Sequence, residues 1–220
     1  MRWFQKWGHR MKPELSKKTS AQLLGAFAFN ALVYYGGRVI SHNAEHYCLS
    51  TPWDAEIPLL SWTILIYLGC YLFWAVTYYL SIRYDKGHGY RFFGAHIIGE
   101  GICFLCFVFF PTSMVRPEIT GTTVFDWLLR LIYTCDPADN LFPSIHCFAS
   151  WLCWIGVRGN KDIPKWYQTI SLVMAILVCI STLTVKQHVI ADVPAGILLS
   201  ELSYCLSGIL DRKIHRTIGQ

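Results

Sequence analysis

Long apolar runs alternate with short polar connections along the chain. Six runs stand out, at about 21–40, 59–82, 92–110, 143–157, 166–183 and 189–210. A helix that spans hydrocarbon needs about 20 predominantly apolar residues, and five of the runs approach that length. The run 59–82 carries no charge, 92–110 holds Glu100 and stops at Pro111, and 143–157 is short with soft boundaries. Asn30 interrupts the first run and Arg38 ends it, while the last contains Asp192 and Glu201. The pattern predicts an all-α polytopic membrane protein: a six-helix bundle forming one membrane-embedded domain over residues 1–220.

Composition sharpens this reading. Hydrophobic side chains make up 54% of the 220 residues and charged ones 15%, whereas soluble domains run nearer a quarter charged. Intrinsic disorder, nucleic-acid binding and a soluble two-domain enzyme are poor fits. In the segment 1–20, Trp3, Phe4, Trp7 and Met11 alternate with Arg2, Lys6 and Arg10, a pattern suited to a helix in the bilayer interface or to a solvated tail. No apolar signal-peptide core follows the basic start before Ala21. Among the nine cysteines, Cys103 and Cys106 stand three apart inside an apolar run with no second pair to complete a zinc site, and the cysteines read as packing residues. Only Cys48 and Cys135 fall in loops on one side, and a disulfide between them is not favoured.

The basic residues set an orientation. Fifteen of the 19 Lys and Arg lie in the amino-terminal tail, 82–91, 158–165 and the carboxyl-terminal tail. The intervening connections hold half of the acids. By the positive-inside rule, both termini face the cytoplasm, and the loops 111–142 and around Lys186 face outward together. Short loops favour a bacterial cytoplasmic membrane.

These outward loops carry the candidate chemistry. Pro143-Ser144-Ile145-His146 opens the fourth run, so the first-turn N–H groups form a ready anion site with His146 beside them. His188 and Asp192 are four apart, a spacing that lets the carboxylate hold the imidazole on a helix. Arg116-Pro117 lies upstream and Lys186 just before His188. Ionisable groups at membrane depth are costly and usually functional, and here five converge on one face. Asp136 and Asp139 could ligate a cation, but Asp-Pro and Asp-Asn are good turn formers, and turns are favoured. His96 with Glu100, Glu201 and Asn30 read as contacts inside the bundle. The stretch 122–133 is amphipathic, with Phe125, Leu128, Leu129 and Ile132 on one face, as for a helix lying on the outer leaflet.

The motifs resemble those of the type 2 phosphatidic acid phosphatase superfamily: Lys-x6-Arg-Pro, Pro-Ser-Gly-His and Ser-Arg-x5-His-x3-Asp. Arg116-Pro117 matches the end of the first, Pro143-Ser144-Ile145-His146 the second, and Ser181-Thr182-x5-His188-x3-Asp192 the third. Three positions depart: Phe109 replaces the first-motif Lys, Ile145 the Gly and Thr182 the Arg. The variant looks like the branch that also contains inositol phosphorylceramide synthases.

The resemblance implies a phosphorylated lipid substrate, with His188 as nucleophile, Asp192 as its orienting partner and His146 as acid and base. Arg116, Ser144, Ile145 and Lys186 would hold the phosphate, with no metal and no cofactor. Lys186, four residues after Thr182, is expected on the same helix face, filling the missing arginine's place. Hydrolysis of a lipid phosphate or pyrophosphate leads, head-group phosphotransfer follows closely, and a non-catalytic transporter is the distant rival.

Overall fold

The computed structural model describes residues 17–83 and 86–218. The basic segment 1–20, with the interfacial pattern around Trp3 and Trp7, lies outside the described residues up to position 16. The chain is mainly helical. Its elements are α1 (Lys17–Ser41), β1 (Tyr47–Cys48), α2 (Pro52–Glu56), α3 (Ile64–Arg83), α4 (Lys86–Phe109), β2 (Thr112–Ser113), α5 (Val124–Cys135), α6 (Ile145–Val157), α7 (Lys165–Thr184) and α8 (Asp192–Ile218).

Among the described residues, five helices are long and apolar enough to cross a membrane: α1, α3, α4, α7 and α8. The sixth run is different. α6 has 13 residues, or about 20 Å of helix, short of a hydrocarbon core about 30 Å thick. Ten of its residues are buried, and it packs against α3, α4, α7 and α8. Surrounded by other helices, α6 need not match the lipid thickness.

Close approach to α6 depends on small residues. A Cβ on Gly196 of α8 would stand 2.7 Å from the Ser144 carbonyl oxygen, and one on Gly99 of α4 would stand 2.1 Å from the Phe148 ring. Ser200 donates to the Phe148 carbonyl at 2.7 Å, and the Trp74 indole donates to Ser150 at 2.9 Å. The apolar core runs through Trp74, Phe92, Phe107, Phe148 and Leu152, all buried.

The connections 42–58 and 111–142 are knitted together by a two-residue parallel sheet that the sequence pattern did not predict. It pairs Tyr47 with Thr112 and Cys48 with Ser113. Thr112 Oγ1 then accepts from the N–H groups of Leu141 and Phe142, at 3.2 and 2.9 Å, and so shapes the approach to Pro143-Ser144. The amphipathic stretch forms α5, capped by Thr123: its hydroxyl accepts from Asp126 N, and the Asp126 carboxylate accepts from Thr123 N. Its inner face packs Leu129 with Ile64, Tyr67 and Val185, while Trp127 and Leu131 face outward.

His96 and Glu100 keep the expected contact, and each has further partners. Glu100 accepts from the Asn30 amide at 2.7 Å. His96 meets the Tyr78 hydroxyl at 3.0 Å and the Ala26 carbonyl at 3.2 Å, and stands 4.0 Å from Glu100. Glu201 is an ion-pair partner rather than a packing contact: it binds Arg158 at 2.7 Å and the Trp151 indole at 3.0 Å.

Candidate active site

The loop between α7 and α8 bends because α7 ends at Thr184. The buried Thr182 carbonyl accepts from the backbone N–H groups of both Gln187 and His188, at 2.9 and 3.1 Å. Lys186 adopts a left-handed conformation, with φ 54°. The expectation that Lys186 continues the helical face of Thr182 is therefore corrected: the helix has already stopped. The Lys186 ammonium instead donates to the Asp54 backbone carbonyl at 2.7 Å.

His188 and Asp192 meet, but across a loop turn rather than along a helix. Asp192 begins α8, and its Oδ2 lies 3.1 Å from His188 Nδ1 and 3.0 Å from the Val189 N–H. A carboxylate can only accept, so Nδ1 of the imidazole donates and Nε2 is left free in the neutral ring. Burial pushes the His188 imidazole down, but the hydrogen bond and charge of Asp192, and more weakly the charge of Asp136, outweigh it and raise His188 above its ordinary value.

His146 stands in the first turn of α6, its ring centroid 5.9 Å from that of His188 at 60°. It stacks on Tyr67 at 4.4 Å and is flanked by Trp74 at 5.6 Å. Ser144 caps the same helix: its hydroxyl accepts from Cys147 N at 3.2 Å, and its own N–H donates to the Asp192 carbonyl at 3.3 Å. That bond ties the start of α6 to the start of α8. The next N–H groups, of Ile145 and His146, fall where a helix has no internal acceptor for them.

Arg116 braces the approach. Nη1 donates to the Asp136 carbonyl at 2.6 Å, Nη2 donates to the Pro137 carbonyl at 3.3 Å and to Gln187 Oε1, and the guanidinium covers the Tyr133 ring at 4.6 Å. Its Nε is buried with no protein partner. Asp136 and Asp139 do not converge on a common point. Asp136 accepts from the hydroxyls of Tyr34 and Tyr67, while Asp139 pairs with Arg38 at 3.1 Å. Among the described residues, no group of three or more His, Cys, Asp or Glu is placed to hold a metal ion.

His188 stands between two cavities. One, of about 370 Å³, is walled by aromatic residues of α1 and α3 and includes His146, Ile145, Asn140 and Gln187. The other, of about 560 Å³, is lined by Arg116, Lys186, Asp54 and Thr51. Of the seven site residues suggested by sequence, His188 borders both cavities, Ile145 and His146 line the first, Arg116 and Lys186 line the second, and Ser144 and Asp192 are buried and line neither. Tyr67, Trp74, Gln187 and Asp54 were not singled out by sequence. Asp54 fixes the outer loop, accepting from Ile190 N at 2.6 Å. Burial pushes its carboxyl up, but bonds from Thr51 and Ile190 and the charge of Lys186 hold it below its ordinary value.

The fold thus brings a His–Asp pair, a second histidine and an arginine together in a chain whose described residues include five helices long and apolar enough to cross a membrane. Residues 113–213 match the family model of the PAP2 superfamily, so this part of the chain is similar to that superfamily. The match points to phosphatase or phosphotransferase chemistry on phosphorylated substrates. No curated protein and no solved structure matches the chain at a significant level.

Proposed function

We propose that this protein is a membrane lipid-phosphate or lipid-pyrophosphate phosphatase that works through a phosphohistidine at the outer leaflet. The observation that carries the reading is the His188 Nδ1–Asp192 contact at 3.1 Å with the His146 ring 5.9 Å away across the same cavity. With Nδ1 held, the Nε2 lone pair attacks phosphorus in line with the leaving oxygen. His146 gives that oxygen a proton, and the lipid alcohol departs. His146, now neutral, takes a proton from water, which attacks the phosphohistidine and releases phosphate.

The equatorial oxygens need donors. Arg116, with its Nε uncommitted, and Lys186 line the outer cavity that His188 also borders, and the α6 start adds the N–H groups of Ile145 and His146. Basic residues concentrated on the opposite connections support cytoplasmic termini and an extracytoplasmic site. A bacterial cytoplasmic membrane is the proposed location.

A second reading, transfer of a phosphoryl head group to another alcohol, is favoured by the 370 Å³ cavity beside His146, which is roomy enough for an acceptor in place of water. The two readings share the first half-reaction. Purified protein is to be incubated with phosphatidic acid, phosphatidylglycerol phosphate and a polyprenyl pyrophosphate, with free phosphate and any new phospholipid measured. Phosphate release supports hydrolysis, and new phospholipid formed only with added alcohol supports transfer. Neither product from any donor refutes both.

A further inference from the structure

The aromatic cavity is more selective than lipid binding alone requires. Most of its wall is apolar, from Phe27, Tyr35, Tyr71 and Trp74. Tyr35 and Tyr71 are also about half exposed on the outer faces of α1 and α3, so the cavity reaches the apolar surface between these helices. At roughly 30 Å³ per water-sized group, its 370 Å³ holds a lipid backbone and the start of one chain.

Two buried amides line the cavity as well, Asn140 at 3% exposure and Gln187 at 2%. Each has one side committed. Asn140 Nδ2 donates to the Tyr34 carbonyl at 3.0 Å, which orients Oδ1 as the remaining acceptor. Gln187 Oε1 accepts from Arg116, which leaves Nε2 as the remaining donor. Both remaining atoms are buried without a protein partner, as is His146 Nε2. A buried polar atom left unmatched is costly, and native structures rarely keep one without a purpose. One acceptor and one donor, on residues that line the same cavity as His146, match a hydroxyl group, which donates and accepts at once.

We propose that this cavity binds the alcohol half of the substrate and selects a lipid alcohol with a second, free hydroxyl next to the reacting oxygen. The inference rests on the phosphatase reading and deepens it. The phosphorylated oxygen faces His146, the neighbouring hydroxyl donates to Asn140 Oδ1 and accepts from Gln187 Nε2, and the chain leaves between α1 and α3. A fully esterified backbone presents no donor there and leaves Asn140 unmatched.

The test compares two substrates that differ by one hydroxyl: a 1-acyl lysophosphatidic acid and its 2-deoxy analogue, acyl-propanediol phosphate of the same chain length. Phosphate release is measured in mixed micelles with the full-length protein. The expected result is a kcat/KM about 10-fold or more higher for the hydroxyl-bearing lipid, the scale of one buried neutral hydrogen bond. In Asn140→Gly that ratio should fall to about 3 or less. Glycine suits this substitution because Asn140 sits at φ 52°.

A ratio within about two-fold in the unaltered protein overturns the inference while leaving the phosphatase reading intact. An undiminished ratio in a folded Asn140→Gly protein overturns the assignment to Asn140. No phosphate from either lipid, nor from phosphatidic acid or a polyprenyl pyrophosphate, removes the phosphatase reading and this inference with it.

Discussion

The rings of His146 and His188 lie 5.9 Å apart at 60° and border the same aromatic cavity, although 41 positions of chain connect them. Ser144 N to the Asp192 carbonyl is the bond that brings their two helix starts together. If His188 is the nucleophile and His146 the acid, the two must fail differently. His188→Asn keeps size and polarity but cannot carry phosphorus, so turnover should fall by at least ~10³-fold for every substrate. His146→Asn should cost most with poor leaving groups and little with an activated aryl phosphate, which departs without a proton. Equal losses across leaving groups in His146→Asn would show that it is not the acid.

The pH dependence follows from the raised His188. Attack needs the neutral ring, so the acid limb of kcat/KM should lie above the ordinary imidazole value of about 6.5. In Asp192→Asn the main raising influence is lost while burial remains, so the limb should move to lower pH as the rate falls. The same shift has a stability consequence of fixed sign. The protonated pair stabilises the fold fully below the unfolded-state value and loses that contribution as pH rises through the raised folded value. An acid limb unmoved between the unaltered protein and Asp192→Asn would remove His188 as the titrating group.

Orientation can be read with the protein's own thiols. Cys48 and Cys135 are free and exposed, on the connections assigned outside. Hydrogen bonds with Ser50 hold the Cys48 thiol below its ordinary value, which favours the reactive thiolate. A membrane-impermeant maleimide should therefore label sealed cells, and Cys48→Ser with Cys135→Ser should abolish that labelling. Labelling that requires permeabilisation would place the site on the cytoplasmic side.

Much of the fold was legible because apolar length is a one-dimensional signal. The carboxyl-terminal ends of α3 and α4 and both ends of α7 fall within one residue of the runs 59–82, 92–110 and 166–183. The place of α6 was not legible: hydropathy reports that a helix is apolar, not whether lipid or protein covers it. Of the candidate site, the histidines and Asp192 could be picked out because charge is rare in spans. Tyr67 and Trp74 could not, because aromatic residues are common throughout these runs and only the fold brings these two beside His146. The left-handed turn at Lys186 was hidden too, because the usual Gly or Asn is absent there.

Gly196 is the packing residue closest to the chemistry. Its missing side chain lets α8 approach within van der Waals contact of the Ser144 carbonyl and the Phe148 N–H. A methyl group there meets backbone on α6, which cannot yield as a side-chain tip can. Gly196→Ala should destabilise by about 1–3 kcal/mol, the range for overpacking, and lower kcat more than the melting temperature alone explains. Gly25→Ala, on α1 with open space around it, is the control and should leave both unchanged. Gly196→Ala with wild-type kinetics would show that the α6 start tolerates displacement.

Lys186 separates charge from backbone conformation. The residue sits at φ 54°, a region that costs a non-glycine residue roughly 1 kcal/mol. Its ammonium is anchored on the Asp54 carbonyl in the cavity that His188 and Arg116 share. Lys186→Gln removes the charge and keeps the backbone cost, whereas Lys186→Gly removes both. If the ammonium serves the phosphate, both variants should lose about 10- to 100-fold in kcat/KM, the scale of one charged contact. Lys186→Gly should be the more thermostable of the two, by an amount that melting in detergent can resolve. Adding Thr182→Arg to Lys186→Gln should not restore activity. Thr182 is fully buried, its hydroxyl lies 3.8 Å from Cys147 Sγ, and a guanidinium has no room beside it. Wild-type kinetics in both single variants would leave Lys186 as a clasp for the Asp54 loop, with Arg116 and the α6 start holding the phosphate alone.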